Sequence, residues 1–130
     1  MNVYSFAVPG PPQGKLRARA ARGIFYTPAK TKVYENLIRA CFLGKYKHWP
    51  QIPACVPVSI QINAIFASPK REKRQGPVMK KPDVDNIAKV VLDAMNNFVF
   101  TDDAQVHSLS VSKSYGPDAG LVIRIYANVS

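Results

Sequence analysis

The sequence predicts a single domain, residues 1–130, of the α/β class in its α+β form, with a mixed β-sheet and two main helices packed on it. Segments in which apolar and polar residues alternate, as in half-buried strands, are separated by two segments with helical spacing of apolar residues. Their order along the chain, β-α-β-α-β-β, favours a mixed sheet covered by helices. A chain of 130 residues, of which 47% are hydrophobic, is also long enough to bury a core without a disulfide framework.

The first half of the chain predicts a strand, a basic loop and a helix. Residues 2–8 form the strand, which must end at Pro9–Pro12 because proline cannot continue a β-ladder. Several cations lie close together between Gly14 and Gly23 and predict a loop. From Lys30 to Gly44 the helical spacing of apolar residues predicts the first helix, with Val33, Leu37, Ile38, Cys41 and Phe42 on its apolar face.

The second half predicts one more helix and three more strands. Residues 56–67 alternate between apolar and polar side chains, which is typical of a half-buried strand. A basic loop over residues 68–82 leads to a helix that begins near Asp83. Two further alternating segments, His107–Lys113 and Leu121–Ala127, predict strands, and the turn between them favours an antiparallel hairpin.

The net charge of +10 is divided unevenly along the chain. Residues 1–82 carry +13, whereas residues 83–130 carry −3, and five of the eight acidic residues lie between positions 83 and 103. The basic part predicts a polyanionic partner, such as nucleic acid or an anionic membrane surface. The question is then why so basic a chain concentrates its carboxylates in one short window.

The sequence also argues against several classes of protein. Cys41 and Cys55 have no metal-site spacing and do not suggest a secreted disulfide scaffold, so the expected location is cytoplasmic. The N-terminal residues lack the features of a signal peptide, and no stretch approaches the roughly 18 apolar residues of a membrane span. We therefore expect neither an exported nor an integral membrane protein.

The second predicted helix has one apolar and one polar face. At about 100° per residue, one side of the helix is apolar and the opposite side polar. The apolar side is predicted to be buried and comprises Ile87, Val90, Val91, Ala94 and Phe98. The polar side carries Asp85, Lys89, Asp93 and Asn96.

Three carboxylates near this helix are candidates for one metal site. An N-cap residue lies outside helical dihedral angles, so Asp83 can turn back toward Asp85. Asp102 and Asp103 lie at a junction between elements, where a loop carboxylate can point at the helix start. Grouped carboxylates repel one another unless a cation is present, and Mg²⁺ prefers such hard oxygen ligands.

Each of these residues also has a simpler interpretation. Asp83 or Asp85 alone is a helix cap, and Asp102-Asp103 alone is a turn. Lys89 alone is a solvated surface lysine. Their joint occurrence in a very basic chain favours hydrolysis of a nucleic-acid phosphodiester. A non-catalytic basic nucleic-acid-binding protein with a structural cation site remains the alternative.

The motif in this window resembles the RusA family of Holliday junction resolvases, found in bacteria and their phages. The resembling string is Asp83-Val84-Asp85-Asn86, Lys89, Leu92-Asp93-Ala94 and Asp102-Asp103-Ala104-Gln105-Val106. The resemblance implies a homodimeric crossover junction endodeoxyribonuclease that binds four-way DNA junctions and nicks two opposed strands in recombination and repair. It implies Mg²⁺ or Mn²⁺ as cofactor.

The resemblance also assigns roles to residues of this chain. It implies that Asp83, Asp85 and Asp103 are catalytic metal ligands, with Asp102 as a neighbouring ligand, and that Lys89 is the catalytic lysine. The basic loops over residues 13–22 and 70–81 are predicted to hold the DNA, through Lys15, Arg17, Arg19, Arg22, Lys70, Arg71, Lys73, Arg74, Lys80 and Lys81.

Aromatic residues are interleaved with the basic ones and are predicted mostly to pack in the core or on strands rather than to stack on bases. They are Phe25, Tyr26, Tyr34, Tyr46 and Trp49.

Overall fold

Two helices pack on a mixed four-stranded β-sheet within residues 2–68 and 76–128, which are the residues that the computed structural model describes. The elements in chain order are β1 (Asn2–Pro9), β2 (Arg19–Ala21), β3 (Ile24–Tyr26), α1 (Ala29–Lys45), β4 (Val58–Ala67), α2 (Val84–Met95), the short 3₁₀ helix η1 (Asp103–Gln105), β5 (Val106–Gly116) and β6 (Gly120–Ala127). The predicted α+β class with a mixed sheet and two helices is confirmed. Neither helix in this part of the chain is long and apolar enough to cross a membrane.

Strand β4 lies inside the sheet, whose strand order is β1-β6-β4-β5. The predicted hairpin of the last two strands is therefore wrong, because β4 separates β5 from β6 and pairs parallel with one and antiparallel with the other. Alternate side chains of β4 from Val58 to Phe66 are buried, which suits a central strand. A parallel pair needs a long crossover, and α2 lies in the connection between β4 and β5.

A second sheet of two strands replaces part of the predicted basic loop. Strands β2 and β3 pair antiparallel, with Ala20 opposite Phe25, and are joined at Arg22 and Gly23. Both of these turn residues have positive φ, 53° and 76°, as the tight turns of two-residue hairpins require. Strands of three residues are too short to show a clear alternation, so the periodicity of the sequence did not predict them.

Helix α1 buries only part of the face predicted for it, including Ile38 and Phe42. Tyr34, Ile38 and Phe42 follow each other at four-residue spacing and are at most 2% exposed, whereas Val33 is 68% exposed. The Phe42 ring centre lies 5.4 Å from that of Phe6 and 4.8 Å from that of Trp49, so aromatic packing fixes the rotation of the helix.

Helix α2 has the orientation that the sequence predicts. Its buried residues are Ile87, Ala88, Val90, Val91, Ala94 and Met95. Phe98 lies beyond the end of the helix and is half-buried against the core. Asp85, Lys89, Asp93 and Asn96 are exposed, so the polar side of α2 is available for a site.

Candidate active site

The polar side of α2 forms the floor of a concavity of about 470 Å³. One wall comes from the segment before β2, and the other side is closed by the start of η1. The lining residues are Lys15, Leu16, Arg17 and Ala18 from the wall, Asn86, Lys89, Leu92 and Asp93 from α2, and Asp103. The concavity thus brings together Asn86, Lys89, Asp93 and Asp103 of the motif and the basic segment 15–18, which lies about seventy residues earlier in the chain.

Lys15 joins this wall to both helices through two carboxylates. Its Nζ lies 2.9 Å from Asp93 Oδ2 and 3.3 Å from Glu35 Oε2. Burial opposes the charged form of the amine, but the hydrogen bond and charge of Asp93, together with Glu35, outweigh it and raise the pKa of Lys15. A DNA contact by Lys15 stays a prediction, but its charge is already balanced within the fold.

The wall also makes close backbone contacts with α2. The Lys15 amide donates a hydrogen bond of 2.9 Å to the Asn86 carbonyl. A Cβ atom on Gly14 would lie 2.9 Å from the Cβ atoms of both Asn86 and Pro82, closer than side chains normally approach. We define residues 10–18 as the wall segment. Glycine allows the wall segment to lie directly against the start of α2.

Asp102 and Asp103 have different surroundings. The Asp102 carboxylate accepts a hydrogen bond of 3.4 Å from the Ala104 amide, and its own amide donates to Gln105 Oε1 at 2.8 Å, which together form a capping box. Asp103 lines the concavity, and its amide donates to Asn96 Oδ1 at 3.0 Å. The Asp102 side chain thus caps η1, whereas Asp103 makes no capping hydrogen bond and lines the concavity.

The Asp103 carboxyl is in an environment that disfavours its negative charge. Desolvation raises its pKa above the ordinary value, and the carboxylates of Asp102 and then Asp93 raise it further. A cation at this position would offset that repulsion. The electrostatics of Asp103 therefore suit a metal ligand.

Asp83 and Asp85 lie at the start of α2. Asp83 is the N-cap residue, has extended backbone dihedral angles and makes no capping hydrogen bond, and its Oδ2 lies 3.2 Å from Lys81 Nζ. Asp85 lies in the first turn and is exposed. From Asp85 to Asn96, which holds Asp103, the helix rises about 16 Å.

The structure does not confirm the expected convergence of three carboxylates. Within residues 2–68 and 76–128, no three carboxylate, histidine or cysteine side chains are grouped so that they could hold a metal ion. Their oxygen donors still fit Mg²⁺, because this ion commonly binds one or two carboxylates and completes its shell with water and phosphate oxygens.

The predicted basic residues fall into three groups. Arg17, Arg19 and Arg22 are exposed on or near the β2–β3 hairpin. Lys81 pairs with Asp83, and the Nζ of Lys80 lies 5.5 Å from the centre of the Phe66 ring. Lys70, Arg71, Lys73 and Arg74 lie outside the described residues.

Lys89, the predicted catalytic lysine, is exposed and forms no ion pair with another described residue, so its charge is free to meet an anion.

Residues 9–126 match the family model for the endodeoxyribonuclease RusA. The chain belongs to the RusA family. It is also 31% identical over 140 aligned residues to the uncharacterized protein YqaN of Bacillus subtilis (strain 168), and the alignment covers 96% of each chain. The matched range runs from the last residue of β1 almost to the end of β6, so the match covers the elements after β1 and not only the motif.

Two residues of this RusA-family site were not found from the sequence. Glu35 holds Lys15, and Asn96 holds the backbone of Asp103. A signal for the first was present, because Glu35 is the only acidic residue before Glu72. Asn96 lies on the polar side of α2, but nothing in the sequence shows which loop amide its side chain meets.

Proposed function

We propose that this RusA-family protein is a divalent-metal-dependent endodeoxyribonuclease that nicks two opposed strands of four-way DNA junctions. It would act in recombination and repair, in the cytoplasm of a bacterium or of a phage-infected cell. The observation that carries this proposal is that Lys89 and Asp103 share one concavity with a basic wall.

Lys89 is the residue best suited to stabilise charge on a phosphate. Lys15, the other amine of the concavity, is paired with two carboxylates, whereas Lys89 has no ion pair among the described residues. A free ammonium group in a concave site can stabilise the negative charge that develops on the phosphoryl oxygens in the transition state. We therefore assign the catalytic lysine to Lys89.

As with the two lysines, some carboxylates of the site already have a partner within the fold and others do not. Asp93 is balanced by Lys15 and Asp102 caps η1, which leaves Asp103 as the carboxylate of the concavity directed to the metal. Asp83 and Asp85 would supply oxygen ligands at the start of α2, about 16 Å along the helix from Asn96, so they would hold a different ion from the one at Asp103. When bound, Mg²⁺ or Mn²⁺ would polarise the scissile phosphate and lower the pKa of a bound water. Asn96 holds Asp103 in place for this role.

The proposed assembly is a homodimer. One concavity of this kind in each chain can cut one strand, so paired nicks in a four-way junction call for two subunits. A junction-bound complex with two protein chains, measured by light scattering, is the expected result. Binding of one chain per junction would contradict the proposed symmetric nicking.

The decisive experiment is cleavage of a synthetic four-way junction in Mg²⁺ by the wild type, Asp85→Asn and Asp103→Asn. We expect both variants to lose cutting and to keep junction binding. Asp118→Asn is the matched control, because it removes the same charge from the connection between β5 and β6, at the far end of β5 from Asp103. If both site variants cut as well as the wild type, the assignment of the site fails.

A non-catalytic nucleic-acid-binding protein with a structural cation is the second candidate function. The capping role of Asp102 and the lack of a three-carboxylate group within the described residues favour it. It predicts junction binding that is indifferent to Mg²⁺ and no nicks at any protein concentration. The same assay, run with and without Mg²⁺, therefore distinguishes the two functions.

A further inference from the structure

The β2–β3 hairpin exposes apolar side chains on both of its faces. Phe25 is 76% exposed, Ile24 is 67% exposed and Tyr26 is 45% exposed. Phe25 and Tyr26 are thus exceptions to the prediction that most of the interleaved aromatic residues pack in the core or on strands. The residues opposite Phe25 and Ile24 are alanines, Ala20 and Ala21, which are too small to cover a large neighbour. The aromatic ring of Phe25 is therefore largely exposed to solvent.

All six strand residues of the hairpin are exposed, so neither face is covered by another element of the described part of the chain. A two-stranded ribbon with no packed face is only marginally stable by itself in water. Its turn places Arg22 at a φ of 53°, a conformation that non-glycine residues adopt infrequently. A binding partner that covered one face would supply the missing contacts.

The charge around the hairpin identifies the chemistry of that partner. Arg19 and Arg22 belong to the hairpin, Arg17 lies two residues before it, and no acidic residue occurs before Glu35. A second copy of the hairpin would bring its own arginines to this surface, so like charges would meet. Aromatic rings bordered by arginines instead match the combination of base faces and phosphates in nucleic acid.

We propose that the hairpin is a base-stacking element of the DNA interface, in which the Phe25 ring stacks on a base exposed at the branch point of a junction. Arg19 and Arg22 would contact the flanking phosphates. This inference rests on the proposed function, because it names how the same enzyme recognises its substrate. Arg17 and Ala18 line the concavity and β2 begins at the next residue, so the hairpin continues directly from the wall of the site.

The proposal predicts selectivity for exposed bases rather than for duplex. Removing an aromatic ring that stacks on one base weakens binding roughly 5- to 100-fold. Perfect duplex offers no free base face away from its ends, so Phe25→Ala is expected to leave duplex affinity within about twofold. Phe25→Trp keeps a stacking surface and is expected to retain junction affinity.

The test measures metal-free binding, by fluorescence anisotropy in EDTA, to a four-way junction and to a duplex of the same sequence at equal salt. A 2-aminopurine at the branch point reports stacking, and its fluorescence is expected to rise with Phe25→Ala relative to the wild type. Val33→Ala is the matched control, since Val33 is an exposed apolar residue on α1, outside the hairpin. It is expected to bind both DNAs like the wild type.

Two results would overturn the proposal. Phe25→Ala could bind the junction as tightly as the wild type, which would exclude a stacking contact. Alternatively, it could weaken junction and duplex binding equally while lowering the molar mass measured by light scattering, which would make the hairpin a contact between copies. If the wild type shows no preference for junctions, the proposed function fails, whereas quenching of 2-aminopurine in single-stranded DNA still tests the stacking of Phe25.

Discussion

The concavity and the β2–β3 hairpin are neighbours in sequence, but their positive charges are used differently. Lys15 in the wall segment is held by Asp93 and Glu35, whereas Arg19 and Arg22 in the hairpin are exposed, in a part of the chain without acidic residues. Net charge alone would assign all three to DNA. Acidic residues therefore decide whether a cation of this basic segment is neutralised inside the fold or stays available to an anionic partner.

Replacing Lys89 is expected to change the rate of cutting far more than DNA binding, because Lys89 lies in the concavity and not on the hairpin. Lys89→Met is expected to lower the rate of junction cutting at saturating protein by roughly 100- to 1,000-fold, because a preorganised charge at the phosphate is lost. Binding should change by less than about threefold. Lys47→Met, which removes an exposed lysine from the connection after α1, is the control and should cut normally. A Lys89 variant that cuts at full rate but binds DNA weakly would show that Lys89 is a binding residue and not a catalytic one.

The anchoring of the wall segment predicts a loss of stability. Lys15→Met leaves Glu35, whose side chain is only 12% exposed, without its partner. We expect the free energy of unfolding to fall by roughly 2 kcal/mol in urea titrations. The double variant Lys15→Met/Glu35→Gln should recover part of this loss, because the uncompensated charge is gone. Additive losses in the double variant would show that the pair does not hold the wall.

Backbone contact between the wall segment and α2 predicts a smaller loss. Gly14→Ala forces a methyl group against Asn86 and Pro82 and is expected to cost about 1–2 kcal/mol of stability. Gly44→Ala is the matched control, because Gly44 lies in helix α1 with no other atom within 4 Å of an added Cβ. That change should stabilise the protein by up to about 1 kcal/mol. Equal effects at both positions would contradict close packing of the wall.

Salt dependence compares the two kinds of cation directly. Arg19→Gln is expected to weaken junction binding a few-fold and to reduce the slope of log K against log salt by about one, as loss of a phosphate contact does. Lys15→Met should leave the slope unchanged, since its charge is balanced inside the fold. Anisotropy titrations at several salt concentrations measure both slopes. A reduced slope for Lys15→Met would place Lys15 on the DNA and remove the contrast.

The last expected effect is a loss of stability at high pH, which involves Tyr34 on α1 and Lys15 in the wall segment but not the hairpin. Burial raises the pKa of Tyr34 to about 12, so the unfolded chain loses that proton first and stability falls as pH rises from about 10 toward 12. The pKa of Lys15 is also raised, so its contribution is present below the unfolded pKa of 10.5 and is lost as pH rises through the higher folded value.

Urea midpoints between pH 8 and pH 12 measure this decline. Tyr34→Phe should make it shallower, because phenylalanine has no proton to lose. Phe25→Tyr on the exposed hairpin is the control and should leave the decline unchanged. A Tyr34→Phe variant with the same pH dependence as the wild type would contradict the effect of burial on Tyr34.

The periodicity of apolar residues predicts the buried face correctly where that face depends on a single element. The spacing of Ile87, Val90, Val91 and Ala94 predicted the buried side of α2, and the polar residues between them predicted the side that lines the site. The motif around Asp83 and Asp103 identified the family before any contact was known. Periodicity was only partly correct for α1: it predicts the buried Ile38 and Phe42, but Tyr34 is buried in place of Val33.

The α+β class, the buried face of α2 and the family are evident from the sequence alone, because each depends on residues close together in the chain, and the separation of basic from acidic residues follows from composition. Tertiary structure decided the place of β4 between β5 and β6, the different surroundings of Asp102 and Asp103, and the pairing of Lys15 with Asp93. These depend on which distant segments meet. Lys15 and Asp93 are 78 positions apart, so no spacing rule connects them, and only packing of the wall segment against α2 brings their charges together.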